Sequence, residues 1–418
     1  MMAHFGIEAL PYLRNFSVMA YDSFSMADRI ILTVEKLASG GDGIAFLDGQ
    51  AVFVPFSIPG EKIRCEIVEK SKDFIRALPL DILVPSPFRV KPPCPIYGIC
   101  GGCNLQHIDY GKQLEFKAES IRDSFRRTAK LETGDLPLKS GLPYGYRNRV
   151  QLHFTQDHGI GFMEAESAAS VRAEGCPIAV SAIDAWLRQQ NRKSKPDKEL
   201  QARIGQRDRF VLFAQDDRLY IEGIDPKAKA IVGRIEYAFP LRHFFQSNLE
   251  MAAILVDDAL AGLSGQKAVD LYSGAGLFAA RLAAQFDEVT CVESDAVSLE
   301  AARGNLPPGS GRFAPTDVES WAQSASARAR RGEAARYDWV VADPPRSGLS
   351  PATREWLKKA DIGGFSYVSC DHVTMARDIG DLARSGWSLE SLTLYDFYPQ
   401  TGHIEALARL KPPENQKK

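Results

Sequence analysis

A chain of 418 residues is longer than one ordinary hydrophobic core organises, so two or three domains are expected. Its 45% hydrophobic and 25% charged residues are those of an ordinary soluble globular protein, and no apolar run approaches the length of a membrane span. The net charge of −2, from 51 Lys+Arg against 53 Asp+Glu, excludes a general polyanion binder; any nucleic-acid face must be a local basic patch.

Residues 1–28 read as an N-terminal extension without the basic start and long apolar block of a secretory signal, with Met19 and Met26 as alternative starts. A cytoplasmic protein without disulfides is therefore expected. Residues 29–87 read as short strands: ILTVEKL, a Gly-rich turn at Gly40–Gly43, IAFL, the Asp48-Gly49 hairpin turn, AVFVPF, and longer runs through Lys62–Val68 and Phe74–Val84. Five strands in so short a span predict a small closed, OB-like barrel. Phe46, Phe53, Phe56 and Phe74 are its candidate stacking aromatics, with core packing as the commoner use. Pro85, Pro87, Pro92 and Pro93 mark a linker.

Residues 88–240 form a central, strand-rich region. It opens on a cysteine cluster, and residues 108–130 read as a helix that could pack on the following domain. RVQLHF and RFVLFA read as strands and Asn191–Lys198 as a polar loop. Lys112, Lys117, Arg122, Arg126, Arg127 and Lys130, and separately Arg328, Arg330 and Arg331, are candidate basic patches; each alone also reads as a solvated helix face.

Residues 241–418 change texture. Asn248–Leu260 reads as a helix, AVDLY as a buried strand, then a Gly turn and helix LFAARLAAQF. EVTCVE, helix AVSLEAARGNL, YDWVVAD and FSYVSC follow. Strands alternating with helices predict a parallel, doubly wound, Rossmann-like sheet, and such sheets bind ligands beyond the carboxyl ends of their strands. Glu293, Asp343 and Cys370 each fall at such an end.

Gly274 and Gly276 let the chain turn tightly between strand and helix. With Ala279 they also satisfy the dinucleotide pattern, and Glu293 could hold a ribose diol in either case. A nicotinamide enzyme has no use for Asp343-Pro344-Pro345 at a later strand end, nor for a thiol at the next one. A methyltransferase needs groups of both kinds near the methyl donor. Enzymes that methylate exocyclic amines place an aromatic residue after this Pro-Pro, and cytosine-C5 enzymes often place their cysteine there. Here Arg346 stands at that position and the thiol, Cys370, comes on the following strand, which points to C5 of uracil. That carbon becomes nucleophilic when a thiolate adds at C6, and a base must then remove its proton. Asp343 would hydrogen-bond the uracil edge, and Glu405, a carboxylate among apolar residues, is the candidate base. Cys65 and Cys291, flanked by strand residues, read as small buried hydrophobes.

Cys94, Cys100 and Cys103, with Cys176 followed by Pro177, have spacings that suit either a four-thiolate zinc site or an iron–sulfur cluster.

The stretches FFQSN (244–248), DLYSGAGLF (270–278), VESD (292–295), DPPRSGL (343–349), YVSCD (367–371) and GHIEALARL (402–410) together resemble the class-I uracil-5 RNA methyltransferases of the large-subunit rRNA type. The resemblance runs from about residue 30 to about 410. It implies a multidomain α/β protein with a TRAM barrel, a central domain whose Cys94, Cys100, Cys103 and Cys176 bind a [4Fe–4S] cluster, and a methyltransferase domain. Gln246, Tyr272, Gly274, Gly276, Glu293, Asp317 and Asp343 would contact S-adenosylmethionine. Cys370 would be the nucleophile, Glu405 the base, and Phe245 a stacking residue near the target. The implied substrate is a uracil in a 23S rRNA loop, acted on by a monomer without an obligate protein partner. The same chemistry on tRNA, or a non-catalytic RNA-binding metalloprotein, are the alternatives. Two departures stand out: Asp371-His372 replaces the usual Asn-Pro after the nucleophile, and Leu277 the frequent Asn of the glycine loop. His372 could tune the thiol, with a solvated loop histidine as the commoner case.

Overall fold

The structure, a computed structural model, describes residues 29–192, 198–204 and 209–414; the extension 1–28 and most of the polar loop at Asn191–Lys198 lie outside them. Six strands make the first sheet: β1 (Arg29–Thr33), β2 (Lys36–Leu37), β3 (Gly43–Leu47), β4 (Gln50–Val54), β5 (Lys62–Lys70) and β6 (Phe74–Val84). Their order is β1-β5-β6-β4-β3-β2, so the two edges are consecutive in the chain. The single expected strand ILTVEKL is thus split. Its first half pairs with β5 and its second with β3, which curls the sheet into a barrel. Leu32, Val34, Val52, Val54, Ile63, Cys65 and Ile75 fill the inside.

The expected helix at 108–130 is α1 (Tyr110–Ser124), capped by Asp109 and continued by a π-helical turn at Phe125–Ala129. Lys117 does not belong to a basic surface patch. It is buried and paired with Asp396 at 2.6 Å, and the Tyr110 hydroxyl donates to the same carboxylate at 2.9 Å. Arg126 and Arg127 both pair with Asp123.

The strand β7 (Leu138–Ser140) leads to a five-stranded antiparallel sheet, order β10-β9-β8-β11-β12, made of β8 (Arg149–Phe154), β9 (Ile160–Met163), β10 (Ser170–Arg172), β11 (Arg209–Gln215) and β12 (Arg218–Ile221). Helices α2 (Ser181–Asn191) and α3 (Lys198–Ile204) contribute Ile183, Leu187, Leu200 and Ile204 to its core. A hairpin of β13 (Lys227–Val232) and β14 (Ile235–Pro240) follows.

The largest sheet has eight strands in the order β17-β16-β15-β18-β19-β21-β20-β7. Its parallel half is β15 (Gly265–Leu271), β16 (Phe286–Glu293), β17 (Gly311–Pro315), β18 (Trp339–Ala342) and β19 (Phe365–Ser369). The sheet is mixed rather than purely parallel. β21 (Glu405–Lys411) runs antiparallel between β19 and β20 (Ser388–Asp396), and β7 adds at the far edge. A hairpin return needs no helix, whereas each parallel step needs a crossover. The helices α5 (Leu277–Leu282), α6 (Ala296–Asn305), α7 (Val318–Arg330), α8 (Pro351–Lys359) and α9 (His372–Ala383) supply those crossovers, and with α4 (Leu249–Leu260), which precedes β15, they cover the faces.

The barrel reaches the eight-stranded sheet at a turn. Asn104 donates to the Gly40 carbonyl and accepts from the Gly402 amide at 3.0 Å. A Cβ on Gly402 would lie 2.5 Å from Gly40 backbone, so only glycine permits this approach.

Candidate active site

Asp343 and Cys370 each follow the carboxyl end of a parallel strand, β18 and β19. β21 runs the opposite way, so its first residue, Glu405, starts at the same rim. The register pairs Ser369 with Ala406, which sets Glu405 beside Cys370. Burial pushes the Cys370 thiol up to about 12; the Glu405 and Asp343 carboxylates add to the rise and the Arg346 guanidinium opposes it. Burial also raises both carboxyls. Glu405 is lifted well above the usual range, first by burial and then by Asp343, with Arg346 again opposing. Two carboxyls sharing one buried site cannot both ionise cheaply, and a base is best when its proton affinity is high.

The loops around this trio are tied down. Ser369 Oγ accepts from the Asp371 amide at 3.1 Å and donates to the Asp371 carbonyl at 3.0 Å, closing a tight turn around Cys370. Thr374 donates to the Asp371 and Arg346 carbonyls, joining the thiol loop to the Asp343–Arg346 loop. Asp378, fully buried on α9, accepts from the Leu349 amide and the Tyr367 hydroxyl, both at 2.8 Å, and so anchors the far end of that loop.

The glycine loop lies two strands away. Its Gly274 amide donates to Glu293 at 3.0 Å, and the Asp295 amide donates to the other oxygen at 2.8 Å. Gly276 has φ +84°, and a Cβ there would press on Ala302 at 3.1 Å. A Cβ on Gly274 would meet nothing within 4 Å, so the backbone faces open space. Tyr272, also at positive φ, is partly buried beside Thr353. Asp270 is fully buried: one oxygen accepts from the Ala279 amide, the other has no hydrogen-bond partner among the described residues, and the Ser273 hydroxyl faces the Cys291 thiol. A buried carboxylate oxygen without a partner, beside a glycine loop whose backbone faces open space, leaves room for a water or for the polar end of an adenosyl-amino-acid cofactor. The glycine motif begins at Asp270 without assigning it a role; the signal in the sequence is a carboxylate inside an apolar strand just ahead of two glycines.

Gln246 is buried between β14 and α4, and Asn248 caps α4 and donates to the Phe397 carbonyl. Asp317 caps α7 at the end of β17, exposed, with its oxygens accepting from the Ser320 amide and hydroxyl. Phe245 does not reach outward. It is core, stacked on Phe239 at 4.0 Å and 6°. Its neighbour Phe244 is the exposed ring, at 67%; alternation along an extended segment puts one of two adjacent aromatics outside, and sequence alone does not say which. His372 is likewise buried rather than solvated. In the barrel, Phe56 is buried and Phe46 exposed, while Phe53 and Phe74 pack edge to face at 6.0 Å.

Cys94, Cys100, Cys103 and Cys176 line one cavity of about 650 Å³ between the barrel and the central sheet. Burial raises all four thiols. Each sulfur has an N–H donor: from Ile96 and Tyr97 at Cys94, Gly102 at Cys100, the Gln106 side chain at Cys103, and Ile178 and Ala179 at Cys176. Among the described residues no three His, Cys, Asp or Glu side chains are grouped so as to hold a metal ion. The four thiols thus surround a space rather than converge on a point. His403 and Thr401, beside the catalytic strand, line the same cavity.

Comparison with known proteins assigns this arrangement. Residues 29–78 match the TRAM domain and residues 328–411 match the tRNA (Uracil-5-)-methyltransferase family. A Treponema denticola protein described as an uncharacterized RNA methyltransferase is 30% identical, over 90% of this chain and 98% of its own length. The chain belongs to the RNA (uracil-5-)-methyltransferase family. It is an RNA uracil-C5 methyltransferase. A Shewanella amazonensis relative named 23S rRNA (uracil(1939)-C(5))-methyltransferase RlmD is 28% identical, over 92% of this chain and 96% of that protein. The crystal structure of Pyrococcus abyssi tRNA (uracil-54, C5)-methyltransferase, in complex with S-adenosyl-L-homocysteine, superposes with a TM-score of 0.70 and 25% identity, covering 92% of this chain and all of that one. No helix among the described residues is long and apolar enough to cross a membrane.

Proposed function

We propose that this methyltransferase modifies C5 of a specific uracil in 23S rRNA, with Cys370 as nucleophile, Glu405 as base and Asp343 on the pyrimidine edge. The observation that carries the reading is the single rim on which antiparallel β21 sets Glu405 beside Cys370 and Asp343. The Cys370 thiol gives up its proton to solvent, with Arg346 offsetting part of the cost of burial; the thiolate bonds to C6, and the C5–C6 electron pair moves to C5, with O4 sharing the charge. S-adenosylmethionine supplies the methyl that C5 takes up. Glu405 then removes the C5 proton; the pair returns to C5–C6 and sulfur leaves as the thiolate. Glu293 and Asp343, with Gln246, Tyr272, Gly274, Gly276 and Asp317 around the same loops, are the groups to hold the cofactor, and Asp270 Oδ1, unpartnered among the described residues, lies at the head of that loop.

The rRNA assignment rests on the relatives named for 23S rRNA. The tRNA enzyme of P. abyssi keeps tRNA as the second reading. Methyl transfer from labelled S-adenosylmethionine to unmodified 23S rRNA and to tRNA, with nucleosides identified by mass, separates them. 5-Methyluridine in rRNA, absent with C370A, is the expected result. Label in tRNA alone overturns the rRNA substrate, and label in neither overturns both.

The four cysteines are assigned to a [4Fe–4S] cluster, supported by their common cavity and their N–H donors, since hydrogen bonds to sulfur are a lever of cluster proteins. The cluster would tie the central region to the barrel; methyl transfer has no redox step. Anaerobically purified protein should contain iron and sulfide in equal amounts, and zinc in their place would refute it.

A further inference from the structure

His372 is the first residue of α9, directly after the Asp371 cap and two residues after Cys370. In the family resembled, proline is usual at this place. A proline at the first helical position fixes the backbone by its ring, and histidine has no such ring. The loss of that restraint next to a nucleophile calls for a substitute, and the structure holds one. The His372 side chain is buried, 6% exposed, and reaches sideways out of the loop to α1. Its Nδ1 lies 2.9 Å from Ser124 Oγ and its Nε2 3.4 Å from Ser120 Oγ. The serines stand four apart and so share one face of the helix. Asp371, in place of asparagine, caps α9 through the Val373 and Thr374 amides, so that replacement keeps the cap.

The latch ends on a firmly held element. One turn earlier α1 carries Lys117, whose buried ion pair with Asp396 fixes the helix to the end of β20. The same imidazole also lines the small cleft where barrel residues Leu37–Ser39, α1 and Ile404 meet.

We propose that His372 is a positioning residue for the nucleophile: by bridging Ser120 and Ser124 it holds the Ser369–Asp371 turn, and with it Cys370, in register with Glu405. It touches neither substrate nor cofactor and acts only through Cys370. This inference rests on Cys370 being the nucleophile.

The test uses full-length protein, S-adenosylmethionine and 23S rRNA transcribed with 5-fluorouridine. Fluorine at C5 cannot leave as a proton does, so the thiol–C6 adduct is trapped and its formation rate read on a denaturing gel. RNA affinity and thermal melting are measured alongside. H372A should slow adduct formation by ~10–100-fold, since about 1 Å of misplacement costs on the order of a hundredfold. RNA affinity should stay within about twofold, because no RNA-facing charge is removed. Ser120→Ala/Ser124→Ala, which leaves the histidine in place, should give the same slowing. The paired change Asp371→Asn/His372→Pro should recover most of the rate, a rescue that lost packing alone would not give. A wild-type adduct rate in H372A, or a loss lying wholly in RNA affinity, overturns the latch; if H372A fails to fold, the serine variant decides in its place. C370A is run in the same assay. An adduct that persists there overturns the nucleophile assignment, whereas an inactive C370A with full-rate H372A overturns the latch alone.

Discussion

Replacing Glu405 by glutamine separates the two halves of the reaction. The side chain is 9% exposed, starts β21, and faces a neighbouring carboxyl and a thiol, so the isosteric amide fits the same space without a cavity. The amide cannot take the C5 proton. General-base catalysis contributes roughly 10²–10⁴-fold, which at about 1.36 kcal/mol per tenfold corresponds to ~3–5 kcal/mol on the barrier of the elimination step. Thiol addition and methylation precede that step and need no base at Glu405. The variant should therefore complete one methylation per enzyme and stop. In a rapid-quench experiment with labelled methyl donor, labelled RNA should run covalently attached to E405Q protein, with steady-state turnover down by the factor above. Stability should move the other way. Burial raises the Glu405 carboxyl, so the wild type loses stability as pH climbs from the ordinary carboxylate range to the raised folded value, and the glutamine variant does not. The melting advantage of E405Q should widen over that interval. Turnover within about threefold of wild type would refute Glu405 as the base. Loss of both turnover and adduct would show that Glu405 acts before methyl transfer.

The acid limb of the wild-type rate profile should lie above the usual carboxylate range, because a raised Glu405 is lost as a base when pH falls through its folded value; single-turnover rates across pH check this, and a limb near an ordinary carboxylate would contradict it. Lys117→Met leaves Asp396 charged in the interior with only the Tyr110 hydroxyl to partner it and should cost ~3–5 kcal/mol in denaturant unfolding, with the further change Asp396→Asn recovering part of it. Gly276→Ala forces a side chain into positive φ and onto Ala302, and should cost ~1–2 kcal/mol or more by the left-handed penalty alone, with weaker S-adenosylmethionine binding by calorimetry. Phe244→Ala removes an exposed ring two residues before Gln246 in the chain; a tenfold or greater fall in kcat/KM for RNA with an unchanged melting point is expected, since base stacking is worth ~1–3 kcal/mol per base.

What the residues determined on their own was local and chemical. Gly274 and Gly276 announce a strand-to-helix turn because only glycine adopts that backbone without cost. An Asp-Pro-Pro-Arg strand end with a thiol on the next strand narrows the chemistry to C5 of a pyrimidine, whatever the fold around it. What tertiary structure decided was orientation and partnership. The direction of β21 is a pairing property, and it alone brings Glu405 to the rim where Asp343 and Cys370 lie. A stretch pattern marks a residue as near the surface or near the core but not which neighbour it meets. Lys117 therefore read as part of a basic face while its ammonium sits buried against Asp396. Phe245 read as the outward ring while Phe244 is, and His372 read as solvated while it crosses to α1. Asp270 carries no role of its own in the glycine motif for the same reason: its unpartnered oxygen is defined only by what surrounds it in three dimensions. Side-chain contacts between segments more than 250 residues apart, such as His372 with Ser120 and Lys117 with Asp396, depend on how sheets and helices pack, and packing is set by the sum of all faces rather than by any one stretch.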